Sequence, residues 1–220
     1  MLRLYFDNRL ENAVIRLIAI MTGPLILPVN VDGLKKRSTQ SDLIDGQKYR
    51  TTFQDVPFDF AIAPEVQPYH DTASIIAAIN PQKVESIYEF YYDPASRSGS
   101  VLRSLQANIE RQMQLAKTAT FGWSIDLNEG PSIESQGAEV WRTVDEQIIQ
   151  LHLPSVVLVV GPRLTVAAMA YAAVGGQRGQ FASVIRQIDF LKHDAIDLMF
   201  AKTGKVAGVH LESVMSSNSV

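Results

Sequence analysis

The sequence predicts an α+β fold: a mixed, largely antiparallel sheet with several packed helices, closed by a C-terminal β-hairpin. Three observations predict it. Residues 195–215 (AIDLMFAKTGKVAGVHLESVM) alternate apolar and other side chains on both sides of Thr203-Gly204. Two period-2 runs joined by a short glycine-containing turn are a hairpin signal. Residues 156–160 form a continuous apolar run between Pro154 and Gly161-Pro162, as a strand buried on both faces would. Helical spacing recurs elsewhere, best at 101–117, where Leu102, Leu105, Ile109, Met113 and Ala116 share one stripe.

Taken in order, residues 2–6 alternate in part and predict a first strand, and the apolar spacing of Leu10, Val14, Leu17, Ile18 and Met21 predicts a helix over 8–21. Residues 22–34 hold two prolines and two glycines and predict a loop with a short extended piece. The polar run 35–47 predicts an exposed or mobile loop. Residues 49–63 alternate through Phe53, Val56, Phe58, Phe60 and Ile62, predicting two short strands or an edge strand kinked at Pro57. Asp71 is placed to N-cap a helix over 72–79, which Asn80-Pro81 ends. Tyr88, Phe90, Tyr91 and Tyr92 form an aromatic cluster. A strand over 119–127 and a loop over 128–137 follow the 101–117 helix. Val140, Val144, Ile148 and Leu151 then keep helical spacing. The alanine-rich stretch 164–174 predicts a buried helix, broken at Gly175-Gly176 and Gly179. Helical spacing resumes at Val184, Ile188 and Leu191. The whole reads as one domain, 1–220, with a soft boundary near 94–100. A doubly wound α/β arrangement around 156–160 is the competing fold.

Composition narrows the function classes. The chain has 220 residues, 46% hydrophobic and 20% charged, with a net charge of −3. That is ordinary for a globular protein with a sizeable core. No block of five like charges occurs, and Lys35-Lys36-Arg37 comes nearest, so no nucleic-acid partner is expected. Cysteine is absent, which excludes disulfides, thiolate metal sites and cysteine nucleophiles. The apolar run 17–31 is broken by Gly23, Pro24 and Pro28 and is shorter than the roughly 20 residues of a spanning helix. Neither a membrane role nor a signal peptide is expected.

The candidate chemistry is sparse. His70-Asp71 and His193-Asp194 are the two His-Asp dipeptides. A metal site would need further ligands facing them from helices. Lys202-Thr203-Gly204 lies in the hairpin, and no serine is followed three residues later by lysine, so it reads as a turn. Gly175-Gly176-Gln177-Arg178-Gly179 precedes a helical stretch and could hold an anion, but matches neither the P-loop nor the dinucleotide pattern. The carboxylate pairs Asp55/Asp59 and Asp194/Asp197 are too common to specify a reaction. The tyrosines at 88–92 offer either sheet packing or a contact surface. No catalytic, cofactor or metal residues are assigned.

The C-terminal stretch Phe190-Leu191-Lys192-His193-Asp194-Ala195-Ile196-Asp197-Leu198, leading through Thr203-Gly204-Lys205 into 209–214, resembles the closing pattern of distal-tail or baseplate hub-ring proteins of tailed bacteriophages. Asp55-Val56-Pro57 and Tyr69-His70-Asp71 in the stretch 51–79 resemble their early region. The resemblance covers about a third of the chain and implies a ring component without enzymatic activity.

The resulting expectation is a non-enzymatic structural or assembly protein, a virion tail or baseplate component whose partners are other subunits in a homo- or hetero-oligomer. The alternative is an α/β enzyme or small-ligand-binding domain with a site near Gly161, Arg163 and Gly175–Gly179. Strand order separates them: a parallel sheet with a crevice at Gly161 favours binding.

Overall fold

A computed structural model of the protein describes residues 13–28, 38–92, 133–151, 154–175, 183–185, 187–189 and 193–215. Its elements are β1 (Ala13–Thr22), β2 (Leu27–Pro28), α1 (Gln40–Thr52), β3 (Phe60–Ala63), α2 (Gln67–Ala77), a 3-10 turn (Pro81–Lys83), β4 (Glu85–Ser86), a second 3-10 turn (Tyr88–Phe90), β5 (Tyr91–Tyr92), α3 (Ile133–Ile149), β6 (Ser155–Pro162), α4 (Arg163–Ala173), β7 (Ala195–Ala201) and β8 (Val206–Glu212). Six strands form one sheet in the order β4-β3-β6-β1-β7-β8, and β2 pairs with β5 separately.

The sheet is mixed, as the sequence predicts, and ends in the expected antiparallel hairpin of β7 and β8, with Gly204 at φ +72° in its turn. Its parallel part is the larger one. β1 pairs parallel with β6, β6 with β3 and β3 with β4, while β1–β7 and β7–β8 are antiparallel. The C-terminal hairpin is thus an antiparallel flank on a parallel core.

β1 corrects the helix expected over 8–21. Its periodicity misleads because the strand is buried on both faces, so apolar residues occupy successive positions and mimic any period. Leu17, Ala19 and Met21 pack with Val166, Ala167, Met169 and Ala170 of α4. Ile18 and Ile20 pack on the other face with Tyr49 of α1, Phe53 at its C-cap, and Tyr69, Ala73 and Ile76 of α2. Helices therefore cover both faces, α1 and α2 on one and α3 and α4 on the other. β6 meets the expectation of an interior strand between β3 and β1: of residues 156–160, Val157, Leu158, Val159 and Val160 are fully buried and Val156 is half-buried.

Four further expectations are corrected. The loop expected over 35–47 is helix α1 from Gln40 onward. Thr39 and Asp42 close a reciprocal capping box, with the Thr39 N–H donating to Asp42 Oδ2 at 2.7 Å and the Asp42 N–H to Thr39 Oγ1 at 3.2 Å. That cap anchors an otherwise polar helix. Only Phe60–Ala63 of the region 49–63 is strand, and it lies inside the sheet between β4 and β6. Asp71 is inside α2, not its cap; Val66 is the N-cap and Pro68 sits in the first turn, where its missing N–H costs nothing. Helix α3 begins at Ile133, within the stretch 128–137 expected as loop. The strands expected at 2–6 and 119–127 and the helix expected at 101–117 lie outside the described residues.

Helices α3 and α4 approach closely at Gly137. A Cβ built there would lie 2.4 Å from the carbonyl carbon of Ala168. Gly137→Ala is therefore expected to cost about 1–3 kcal/mol, because two backbones must part to admit one methyl group. The lower intrinsic helix propensity of glycine, roughly 1 kcal/mol, works the other way and does not offset it. Chemical denaturation checks this through a lowered midpoint at unchanged slope; a raised midpoint would mean that the helices do not touch there.

Candidate active-site crevice

In an open parallel sheet, ligands bind beyond the C-terminal ends of the strands, where neighbouring strands send their connections to opposite faces. β1 and β6 are such a pair. They run parallel, with Met21 opposite Gly161 and Thr22 opposite Pro162. The chain leaves β1 toward α1 on one face and leaves β6 directly into α4 on the other.

The candidate crevice at this switch point draws on few residues. The strand ends supply Thr22-Gly23 and Gly161-Pro162, and Arg163 opens α4. Gly161 is forced by close packing: an added Cβ would meet Phe90 Cε1 at 2.7 Å and Val166 Cγ2 at 3.0 Å. Phe90, fully buried, packs behind Gly161. On the other side the Tyr69 hydroxyl comes within 2.6 Å of where a Cβ on Gly23 would stand. That hydroxyl is buried and, among the described residues, has no hydrogen-bond partner.

The helix N-terminus is already occupied by the chain itself. The N–H of Arg163 donates to Pro24 O at 3.2 Å and that of Leu164 to Leu25 O at 2.9 Å. An anion here would meet side chains before backbone amides. Arg163 is the side chain suited to it. A cation at helix position N1 faces the positive end of the helix dipole, a placement that costs roughly 0.3–1 kcal/mol. Burial pushes the Tyr49 and Tyr69 phenols well above the usual tyrosine range, Asp194 adding for Tyr49 and Asp42 for Tyr69, while the Arg163 guanidinium opposes both shifts. Burial also raises Asp194, opposed by the N–H groups of Val214 and Met215 and by Arg163.

The other sequence candidates are dispersed. Asp194 ties the end of the chain's hairpin back to its start, accepting the N–H of Val214 at 2.8 Å and of Met215 at 2.7 Å. His193 Nδ1 accepts the N–H of Asp189 at 3.0 Å. Asp71 accepts from Ser38 and Gln67, and Asp59 Oδ2 accepts the N–H of Val156 at 2.8 Å at the opposite end of β6. Asp197 is held by Arg16. Among the described residues neither His-Asp dipeptide gathers further ligands, and no group of three His, Asp or Glu is positioned to hold a metal ion. Lys202-Thr203-Gly204 is the hairpin turn. Gly175 follows α4 at φ +83°, at the end of that helix remote from the crevice, and 176–179 lie outside the described residues. No helix among the described residues is long and apolar enough to cross a membrane.

One couple escapes a linear reading. Ser86 Oγ lies 3.0 Å from His70 Nε2. Ser86 ends β4 and His70 stands in the first turns of α2, so both are on the same edge of the sheet as the crevice. A hydroxyl and an imidazole sixteen residues apart carry no sequence signal; only the β3–α2–β4 crossover brings them together.

No protein family's sequence profile and no curated protein matches the chain. Solved structures do. A phosphoserine phosphatase from Entamoeba histolytica, a histidine-to-alanine variant in complex with phosphoserine, superposes with a TM-score of 0.60 at 12% identity, covering 91% of this chain and 98% of that one. The α-ribazole phosphatase of Shigella flexneri gives 0.59 at 16% identity, covering 90% and 96%. A mycobacterial glucosyl-3-phosphoglycerate phosphatase with inorganic phosphate gives 0.61 at 9%, covering 91% and 95%. These neighbours overturn the resemblance to phage tail and baseplate proteins. The pattern behind it, a strand, a turn and a strand at the C-terminus, is real but is only the flank of a parallel sheet. The expectation of a non-enzymatic virion component falls with it, because the scaffold is one that phosphatases use. What the chain shares with them is the fold.

Proposed function

We propose that the protein is an enzyme acting on phosphate esters, with the phosphoryl group held beside Arg163 in the crevice between β1 and β6. The observation that carries this reading is the position of Arg163: a cation set against the helix dipole, at the switch point of a scaffold whose solved neighbours are phosphatases. A guanidinium matches a phosphoryl group with two parallel hydrogen bonds. Half-buried at the start of α4, its charge would stabilise the negative charge of a transferring phosphoryl group. Because Pro24 and Leu25 carbonyls occupy the first amides of α4, side chains carry the recognition.

The reaction class is transfer of the phosphoryl group to water. The test is release of inorganic phosphate from a panel of phosphomonoesters that includes phosphoserine and glucosyl-3-phosphoglycerate, with affinity for inorganic phosphate measured in parallel. The expected result is release by the unaltered chain and a loss of about 100-fold in Arg163→Ala, the effect of removing one stabiliser of developing charge. Arg163 is half-buried at a helix start, so the variant is first shown to keep its thermal midpoint. Binding without release would overturn the catalytic half of the proposal. Neither binding nor release would overturn it entirely.

A further inference from the structure

We propose that the exposed ring of Tyr88, with the Ser86–His70 couple two residues away along the chain, is a subsite for the alcohol part of the ester, and that this alcohol carries a ring, as a sugar or an aromatic alcohol does. The inference rests on the phosphate-ester reading of the crevice and names the substrate class.

Tyr88 is 66% exposed, one of the few large hydrophobic side chains in the described structure left in water. A single exposed aromatic is by itself unremarkable in a surface. This one is held in place. It begins the 3-10 turn Tyr88–Phe90, closed by the Tyr91 N–H donating to Tyr88 O. The same turn ends in Phe90, packed behind Gly161. From α3, Gln136 Nε2 donates to Glu89 O at 3.4 Å and to Phe90 O at 3.2 Å. The Tyr88 ring rests on Tyr91, with centroids 5.1 Å apart and planes tilted by 33°. Tyr91 is pinned in turn by its hydroxyl, which donates to Glu65 O at 2.9 Å. A ring fixed on this footing loses little freedom when a ligand stacks on it.

Placement joins the two halves. Ile87 donates its N–H to Ala63 O at 3.2 Å, which sets the turn over the C-terminal ends of β3 and β4. β4 is two strand spacings from β6, about 10 Å. That span fits a phosphoryl group at Arg163 joined to a ring over Tyr88. Ser86 and His70, both solvent-accessible, offer a donor and an acceptor at the polar edge of such a ring.

Titration calorimetry of the full chain with phenyl phosphate and with ethyl phosphate tests this. The unaltered chain is expected to bind phenyl phosphate about tenfold more tightly, the size of one aromatic stacking contact. Tyr88→Ala should erase that preference and Tyr88→Phe should keep it, while Arg163→Ala should weaken both esters alike. Equal affinity for the two esters, or a preference that survives Tyr88→Ala, overturns the subsite and leaves the phosphate reading standing. Failure of the unaltered chain to bind either ester overturns the phosphate reading, and the subsite with it.

Discussion

Arg16→Met is expected to destabilise the protein by about 3–5 kcal/mol, the cost of leaving a buried charge without its partner. Arg16 on β1 reaches across to Asp197 on β7. Its Nε lies 3.2 and 3.1 Å from the two carboxylate oxygens and its Nη2 lies 2.8 Å from Oδ2. The two side chains are unequal: that of Asp197 is 3% exposed and that of Arg16 is 26% exposed. Removing the arginine strands a carboxylate that cannot reach water. Removing the aspartate leaves an arginine that can turn outward, so Asp197→Leu should cost distinctly less. The double variant Arg16→Met with Asp197→Leu should come close to the unaltered protein, because two apolar side chains replace two desolvated charges. Denaturant unfolding of the three variants measures this as a double-mutant cycle. Small and equal losses in both single variants would show that the pair stands in water.

Leu158→Ala is expected to cost about 4 kcal/mol, in the upper part of the range of roughly 2–5 kcal/mol for such truncations. Leu158 lies at the centre of β6, opposite Ile18 on one side and Ala61 on the other. It is fully buried in the core beneath α1 and α2. Ladders on both sides of the strand hold the backbone, so the cavity has no means to collapse. The same residue should show amide exchange near the slowest in the molecule, since its opening requires the whole sheet to open. A loss below about 1 kcal/mol, or rapid exchange, would place β6 at the periphery.

How much of this was legible in the sequence depended on whether an element had one buried face or two. The hairpin of β7 and β8 is clear because β8 has an exposed side, and alternation survives. β6 is clear because Pro154 and Gly161-Pro162 bound an unbroken apolar run. β1 is closed by Gly23-Pro24 but has no such break before it, so its residues fitted a helical stripe by accident. α1 hid in a polar stretch because its stability comes from the Thr39–Asp42 cap and from Tyr49 and Phe53 near its end, not from an apolar stripe. The sheet's parallel majority is a matter of crossovers, which no local pattern encodes. The crevice was half legible. Gly161 and Arg163 stand together in sequence after a buried strand, the place where an α/β sheet puts its ligand. Tyr69 and the pairing of Ser86 with His70 arise from distant segments and gave no signal, while Asp194 and His70 stood out only as members of His-Asp dipeptides. The glycine run at 175–179 was attractive only as a composition; its first residue follows α4, away from the strand ends.

Whether the crevice between β1 and β6 takes a phosphoryl group is decided most directly by a crystal structure of the chain with inorganic phosphate. The account predicts the anion beside the Arg163 guanidinium, between Gly23 and Gly161, near the Tyr69 hydroxyl. A structure at saturating phosphate with the anion elsewhere or nowhere on the protein would contradict it.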